Sequence, residues 1–319
     1  MFCITFVVQA KAILTVYTYN SFIADGAQGP TIKPAFEQHC NCELKLIGLS
    51  DGVALLNRLR IEGENTPADI VIGLDNNLID LAKKTGLFTA SHIDMSQLKL
   101  PIKWDNNIFI PYDYGYFAFI YDKTRVHKAP KSLDELINSA TPWKIIYQDP
   151  RTSTPGLGFL LWIQKIYGNN STQAWKKIAA KTITVTKGWS ESYGLFLKGE
   201  SDFVLSYSSS PAYHLLNDKK NNYSAAIFNE GHYLQIEVAA QLATSKQPKL
   251  AQQFMQFMLS PIFQKALPTA NWMYPVIDIP LPQVYQQIPI PKKSLQFHPE
   301  DITKHRKDWI YLWQNAASH

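Results

Sequence analysis

Three observations predict an α/β fold for this chain of 319 residues. Short β-branched strands alternate with helical stretches along most of its length, which argues for layers built on mostly parallel sheets. Two long, aromatic, extended segments, 111–121 and 233–242, lie far apart in sequence and read as crossings between two lobes, a hinged arrangement. Several strands end in small polar clusters, where ligands gather in open sheets of this kind.

The elements follow in order. Residues 13–19, Ile-Leu-Thr-Val-Tyr-Thr-Tyr, are β-branched, aromatic and alternating, and read as a strand. Residues 43–49 form a second strand ending at Ser50-Asp51. Leu55, Leu56 and Leu59 then recur at helical spacing, and Gly63 closes that helix. Residues 69–74 are a buried strand that ends in Asp75-Asn76-Asn77. The alternation continues through Ile145-Ile146-Tyr147, a helix over 157–167, a strand at 203–205 and a helix after Pro211. Leu250, Phe254, Phe257 and Met258, and later Trp309, Ile310, Leu312 and Trp313, form apolar stripes at helical spacing and read as core. The proline-dense stretch 275–291 reads as a surface loop.

Composition narrows the function. A chain that is 46% hydrophobic and 18% charged is ordinary for a soluble globular protein, and its length suits two domains or one large one. The net charge of +5 is spread thinly over short pairs such as Lys219-Lys220 and Lys292-Lys293, without the clustered basic face of a nucleic-acid binder. No stretch approaches the roughly 18 unbroken apolar residues of a membrane span. The opening MFCITFVVQA is uncharged and apolar, and Val8-Gln9-Ala10 suits a small-residue cleavage site. It reads as the tail of a secretory signal removed near Ala10, with a buried first strand as the alternative.

Of the three cysteines, Cys3 leaves with that signal, and Cys40 and Cys42 remain as a C-x-C pair. Export permits a disulfide between them. A metal site would need further ligands and finds only His39 nearby, so a structural role is the favoured reading. The sequence carries no G-x-S-x-G elbow, no phosphate-binding G-x-x-x-x-G-K-[ST] loop, no H-E-x-x-H and no G-x-G-x-x-G. Nothing positive in it suggests an enzyme.

What it does carry is a set of strand-to-helix junctions: Ser50-Asp51-Gly52, Ser153-Thr154 with Trp189 following later, and Tyr207-Ser208-Ser209-Ser210-Pro211. Each sets short hydroxyls and backbone N–H groups at a helix start, where anionic oxygens are well received. Trp189 and Tyr207 add flat faces for a ring or a delocalised cation. Each cluster has a plainer alternative. Asp51-Gly52 also reads as an N-cap, Ser210-Pro211 as a capped helix start, and Trp189, which follows the conformationally free Gly188, as a core residue. Together they point to a small ligand with an aromatic cationic part and a hydroxyl or phosphate end.

Five stretches carry a resemblance to a known family. They are residues 14–19, residues 73–77, the run Tyr147-Gln148-Asp149-Pro150-Arg151-Thr152-Ser153-Thr154-Pro155-Gly156-Leu157-Gly158, Thr186-Lys187-Gly188-Trp189-Ser190, and Asn271-Trp272-Met273-Tyr274-Pro275. They closely resemble the periplasmic thiamine-binding proteins of bacterial ABC importers, and the likeness runs from about Lys11 to the C-terminus. The resemblance implies a two-lobed type II periplasmic-binding-protein fold with its ligand cleft between lobes joined by crossing strands. The lobes would comprise residues 11–113 with 236–275, and 114–235 with 276–319. It implies a monomer in the periplasm that holds thiamine, thiamine monophosphate or thiamine diphosphate as ligand, uses no cofactor, metal or nucleic acid, and delivers its load to a membrane permease.

Carried over by position, the family's ligand contacts fall on Asp51, Gly52, Ser153, Thr154, Trp189, Tyr207, Ser208, Ser209 and Ser210, with Tyr19, Tyr213 and Trp272 as further walls. The chain departs from the pattern at Gly26, where relatives carry Trp, and at Asn20, where they carry Asp. These changes remove one aromatic wall and one negative charge. Two rivals share the expected fold. A thiaminase-like enzyme needs a cysteine nucleophile in the cleft, and Cys40 and Cys42 precede the second strand, away from the cleft-facing strand ends. Ferric-ion carriers use adjacent tyrosines, and the sequence has no Tyr-Tyr pair.

Overall fold

The computed structural model describes residues 11–317; Cys3 and the expected cleavage point at Ala10 lie outside the described residues. Strands β1 (Ile13–Tyr19), β2 (Glu43–Leu49) and β3 (Ile70–Asp75) alternate with helices α1 (Gln28–Cys40) and α2 (Gly52–Glu62). The short α3 (Ile79–Lys83) then leads to the long β4 (Ile110–Asp122). A second series follows: α4 (Leu133–Asn138), β5 (Ile145–Gln148), α5 (Thr154–Tyr167), α6 (Ser171–Ala179), β6 (Thr182–Thr186), α7 (Trp189–Leu197) and β7 (Phe203–Tyr207). The chain then passes through α8 (Pro211–Tyr213) and β8 (Tyr223–Ala226) to the second long strand, β9 (His232–Gln241). It finishes with α9 (Pro248–Phe257), α10 (Pro261–Ala270), β10 (Tyr274–Pro275), β11 (Ser294–Leu295) and α11 (Pro299–Ala317).

The strands form one sheet in the order β2-β1-β3-β9-β4-β7-β5-β6, with β8 and β10 also on β4 and β11 on β9. Pairing is parallel toward both ends, where β1 joins β2 and β3, and β5 joins β6 and β7. The expected predominance of parallel pairing fails at the centre. There β9 runs antiparallel to β3 and β4, and β4 antiparallel to β7, because the two crossing strands traverse the molecule in opposite directions. β4 changes partners midway: residues 110–116 lie along β9, residues 117–121 along β7 and residues 119–122 along β8. A strand shared in this way belongs to both halves of the sheet.

Local chemistry explains most boundaries. β2 covers the expected residues, and α2 starts where Asp51, in extended conformation, caps it with its carboxylate. α5 starts three residues before the expected position because the Ser153 hydroxyl accepts the N–H of Gly156. Two glycines in α5 serve packing. A Cβ on Gly158 would stand 1.9 Å from the Phe117 ring, and one on Gly156 would stand 2.4 Å from the Gln148 carbonyl. The helix expected after Pro211 is only one turn, followed by a π-turn over 214–218. Its serine cap is absent: Ser210 is itself helical, and its hydroxyl pairs with Ser206 at 2.7 Å and accepts Tyr207 N–H. Cys40 and Cys42 form a disulfide at the end of α1. Within the stretch 275–291 expected to be surface loop, Val284, Tyr285 and Ile288 are buried. They pack against Ala212 and Tyr274 in a small apolar cluster.

Candidate functional site

Three helix starts from different parts of the sequence meet at one carboxylate. Asp51, at the β2–α2 junction, is 6% exposed. Its Oδ1 accepts the N–H of Gly52 (2.7 Å) and both the N–H (3.3 Å) and hydroxyl (3.0 Å) of Thr154, at the start of α5. Its Oδ2 accepts the Ser153 hydroxyl at 2.8 Å and the N–H of Trp189, at the start of α7, at 3.2 Å. Burial pushes this carboxyl above the usual range, and the bonds from Gly52, Ser153 and Thr154 pull back toward the charged form. Around it the two halves touch: Ala54 N–H donates to the Thr152 carbonyl at 2.9 Å, and the Asn57 amide to the Arg151 carbonyl at 3.2 Å. Gly188 matters here for closeness rather than for backbone freedom. Its φ of −154° suits any residue, but a Cβ there would stand 2.6 Å from the Ser50 carbonyl oxygen.

Beside this contact lies a cavity of about 470 Å³. Its aromatic walls come from Tyr19, Trp189, Tyr193, Tyr207, Tyr213 and Trp272. The Trp189 indole stacks on Tyr193 with centroids 4.9 Å apart and planes at 23°, and its Nε1 donates to Ser206 Oγ at 2.7 Å. Tyr213 meets Trp272 edge to face at 5.2 Å. Tyr207 leans on Phe117 and donates its hydroxyl to Gln235 at 2.6 Å. Trp272 has φ +58°, a left-handed conformation that costs a bulky side chain about 1–2 kcal/mol. Its N–H completes the end of α10 by donating to the Leu267 carbonyl, so helix termination turns the indole into the cavity wall. Strain of this kind is characteristic of binding walls.

Among the described residues, the charged members of the lining are Asp25, Asp51 and Glu237, with no lysine, arginine or histidine. Glu237 lies on β9 and accepts through Oε2 from the hydroxyls of Tyr19 (2.8 Å) and Tyr112 (2.9 Å). Behind it Asp113, wholly buried, accepts the Asn271 amide at 2.6 Å. Nearby Asp75 accepts from Asn77 and Gln235, and burial pushes its carboxyl up to about 7. The site is a box with aromatic walls and an excess of buried acid, which favours a flat cation.

The residues expected from sequence divide into two groups. Asp51, Thr154, Trp189, Tyr207, Ser210, Tyr19, Tyr213 and Trp272 line the cavity. Gly52, Ser153, Ser208 and Ser209 are buried but stand behind that lining. Gly52 is pressed between both halves: an added Cβ would be 2.2 Å from the Gly73 carbonyl oxygen on β3 and 2.5 Å from Cγ2 of Thr154 at the start of α5. Of the two departures noted above, Gly26 is in the lining and Asn20 is not.

Sequence reasoning passed over Glu237, Asp113, Tyr193, Asn271 and Ser206. A signal for the acids was present: Glu237 is the lone charge in the buried strand segment Leu234–Ala240, and Asp113 interrupts an aromatic run. Acids in buried strands are costly and call for a partner or a function. Among the described residues, no group of three or more His, Cys, Asp or Glu is placed to hold a metal ion.

Residues 19–265 match the family of bacterial extracellular solute-binding proteins. The chain is 60% identical over 311 residues to the thiamine-binding periplasmic protein of Escherichia coli, covering 98% of this chain and 95% of that one. A solved structure of a periplasmic thiamin binding protein superposes with a TM-score of 0.96 at 60% identity, covering 97% of each chain. A ferric binding protein from Campylobacter jejuni superposes with a TM-score of 0.77 over 95% of this chain and 99% of that one, but at 21% identity this speaks for the fold alone.

Proposed function

Given that the chain belongs to the bacterial extracellular solute-binding proteins, and among them to the thiamine-binding periplasmic proteins, we propose that it captures thiamine and its mono- and diphosphate and hands them to a membrane permease. The observation that carries this reading is the cavity itself. Among the described residues, six aromatic side chains and three acids line it with no basic group, in a volume suited to one small molecule. Thiamine joins a flat aminopyrimidine to a permanently positive thiazolium, and each cation–π contact contributes about 0.5–2 kcal/mol. Micromolar binding requires about −8 kcal/mol. One such wall is not enough after ordering costs, so the ligand is enclosed from both sides.

The lobes are residues 11–113 with 236–275, and 114–235 with 276–319, and they close about β4 and β9 as a hinge. Asp51, Ser153, Thr154 and Trp189 meet across that closure. The hydroxyethyl or phosphate end of the ligand approaches the starts of α2, α5 and α7, where an anionic oxygen takes the N–H groups of Gly52, Thr154 and Trp189 in place of the Asp51 carboxylate that holds them here. The protein works as a monomer in the periplasm after removal of its first residues, and does no chemistry on its load. Among the described residues, the cavity lining carries no cysteine, which supports binding over thiaminase-like cleavage.

Tryptophan-quenching titration of purified protein with thiamine, its monophosphate and its diphosphate tests the reading. Saturable binding at micromolar concentration or tighter is expected. Failure to retain any of the three refutes it, and release of free pyrimidine on incubation with a nucleophilic base refutes the non-enzymatic part.

A further inference from the structure

Asp113 and Glu237 are directly paired across β4 and β9, so their carboxyls share one buried position in the sheet. Both are nearly or wholly inaccessible. The groups packed around them are neutral or acidic. Tyr19 arrives from β1, Tyr112 from β4 and Asn271 from beyond α10, all as hydrogen-bond donors. Asp51 and Asp75 add negative charge from α2 and β3, and the Tyr207 phenol stands near from β7. Among the described residues, Oδ1 of Asp113 receives no hydrogen-bond donor. Two carboxylates so placed, with no cation to share, cannot both stay charged. Burial and the Glu237 charge hold Asp113 well above its ordinary range, while Glu237, braced by two tyrosine hydroxyls, faces the cavity.

We propose that the Glu237–Asp113 pair holds a single proton in the unliganded protein and surrenders it to solvent when a cationic ligand enters, making this pair the element that selects for positive charge. The inference rests on the reading that the cleft takes thiamine. A bound thiazolium supplies the positive charge that the buried acids lack, which favours the doubly ionised pair. By linkage, affinity for the cation then rises with pH up to the pair's upper titration and is flat above it, with a slope of at most about tenfold per pH unit. A neutral ligand of the same shape shows no such slope.

The experiment compares thiamine with an analogue whose thiazolium is replaced by an uncharged thiophene ring. Calorimetry in two buffers of different ionisation enthalpy counts the protons released, and the shared aminopyrimidine cancels between the two ligands. For the unmodified protein we expect release of close to one proton with thiamine and none with the analogue. Glu237→Gln should abolish that release and cut the preference for thiamine over the analogue about tenfold or more. Retained binding of the analogue reports an intact cleft. Should Glu237→Gln not fold, Asp113→Asn carries the same comparison, and the proton count on the unmodified protein needs no variant. Thiamine binding without proton release, or an unchanged preference in a folded variant, overturns the inference while leaving thiamine capture standing. Binding of neither ligand overturns both.

Discussion

The Ser153 hydroxyl donates to the Asp51 carboxylate at 2.8 Å, joining residues 102 positions apart in sequence. This bond ties the start of α5 to the start of α2, and Trp189 joins it from α7 through its own N–H. A residue that looks like a simple helix cap is therefore one of the points where the two halves of the sheet meet.

Asp51→Ala removes the acceptor for the Ser153 and Thr154 hydroxyls and the Trp189 N–H in a buried place. Unpaired buried donors cost about 1–3 kcal/mol. Thiamine affinity measured by calorimetry should fall by about tenfold or more, because the closed form loses its bridge. An unchanged affinity would mean that the bridge contributes nothing to closure.

Trp189→Ala removes the wall that stacks on Tyr193 and should weaken thiamine binding by about tenfold or more, the scale of one good cation–π face. Trp189→Phe keeps an aromatic face but loses the bond to Ser206, so its loss should be smaller. Equal affinities in all three proteins would remove Trp189 from the site.

Gly73 has φ +101°, and a Cβ there would stand 2.2 Å from a ring carbon of Tyr19. Gly73→Ala should therefore lower stability by about 1–3 kcal/mol and displace Tyr19 from both the cavity and Glu237. Denaturant unfolding and thiamine titration should both register the change. A loss in stability alone would place Tyr19 outside ligand recognition.

The buried acids set the pH dependence of the unliganded protein. Asp75 is pushed up to about 7, and Asp51, Asp113 and Glu237 are raised as well, with burial the chief cause in each. A carboxyl with a raised folded-state pKa gives stability that is present at low pH and lost as pH rises through that value. These four acids thus add protons to the native state across the mildly acidic range, while burial holds His232 down to about 4 and lowers His214, which works in the opposite direction below the ordinary imidazole range. The urea midpoint should be higher near about pH 5 than near about pH 8. Asp75→Asn should remove the Asp75 share of that fall, and a pH dependence identical to that of the unmodified protein would contradict the burial assigned to Asp75.

What the sequence alone determined is local. Alternating β-branched residues place β1, and the leucines after Asp51 together with Gly63 bound α2, because a strand's two-residue period and a helix's caps are set by nearest neighbours. Trp189, Tyr207 and Thr154 were legible for the same reason, as conspicuous residues at strand-to-helix junctions. The one-turn α8 was not, since the Ser210 hydroxyl is taken by Ser206 rather than by the helix. Only the tertiary structure decided that Asp51 answers to Ser153, Thr154 and Trp189, that β4 passes from β9 to β7, and that Glu237 stands beside Asp113. These relationships join residues tens to hundreds of positions apart. Their strength comes from exclusion of water after the halves meet, and nothing in a local pattern encodes that.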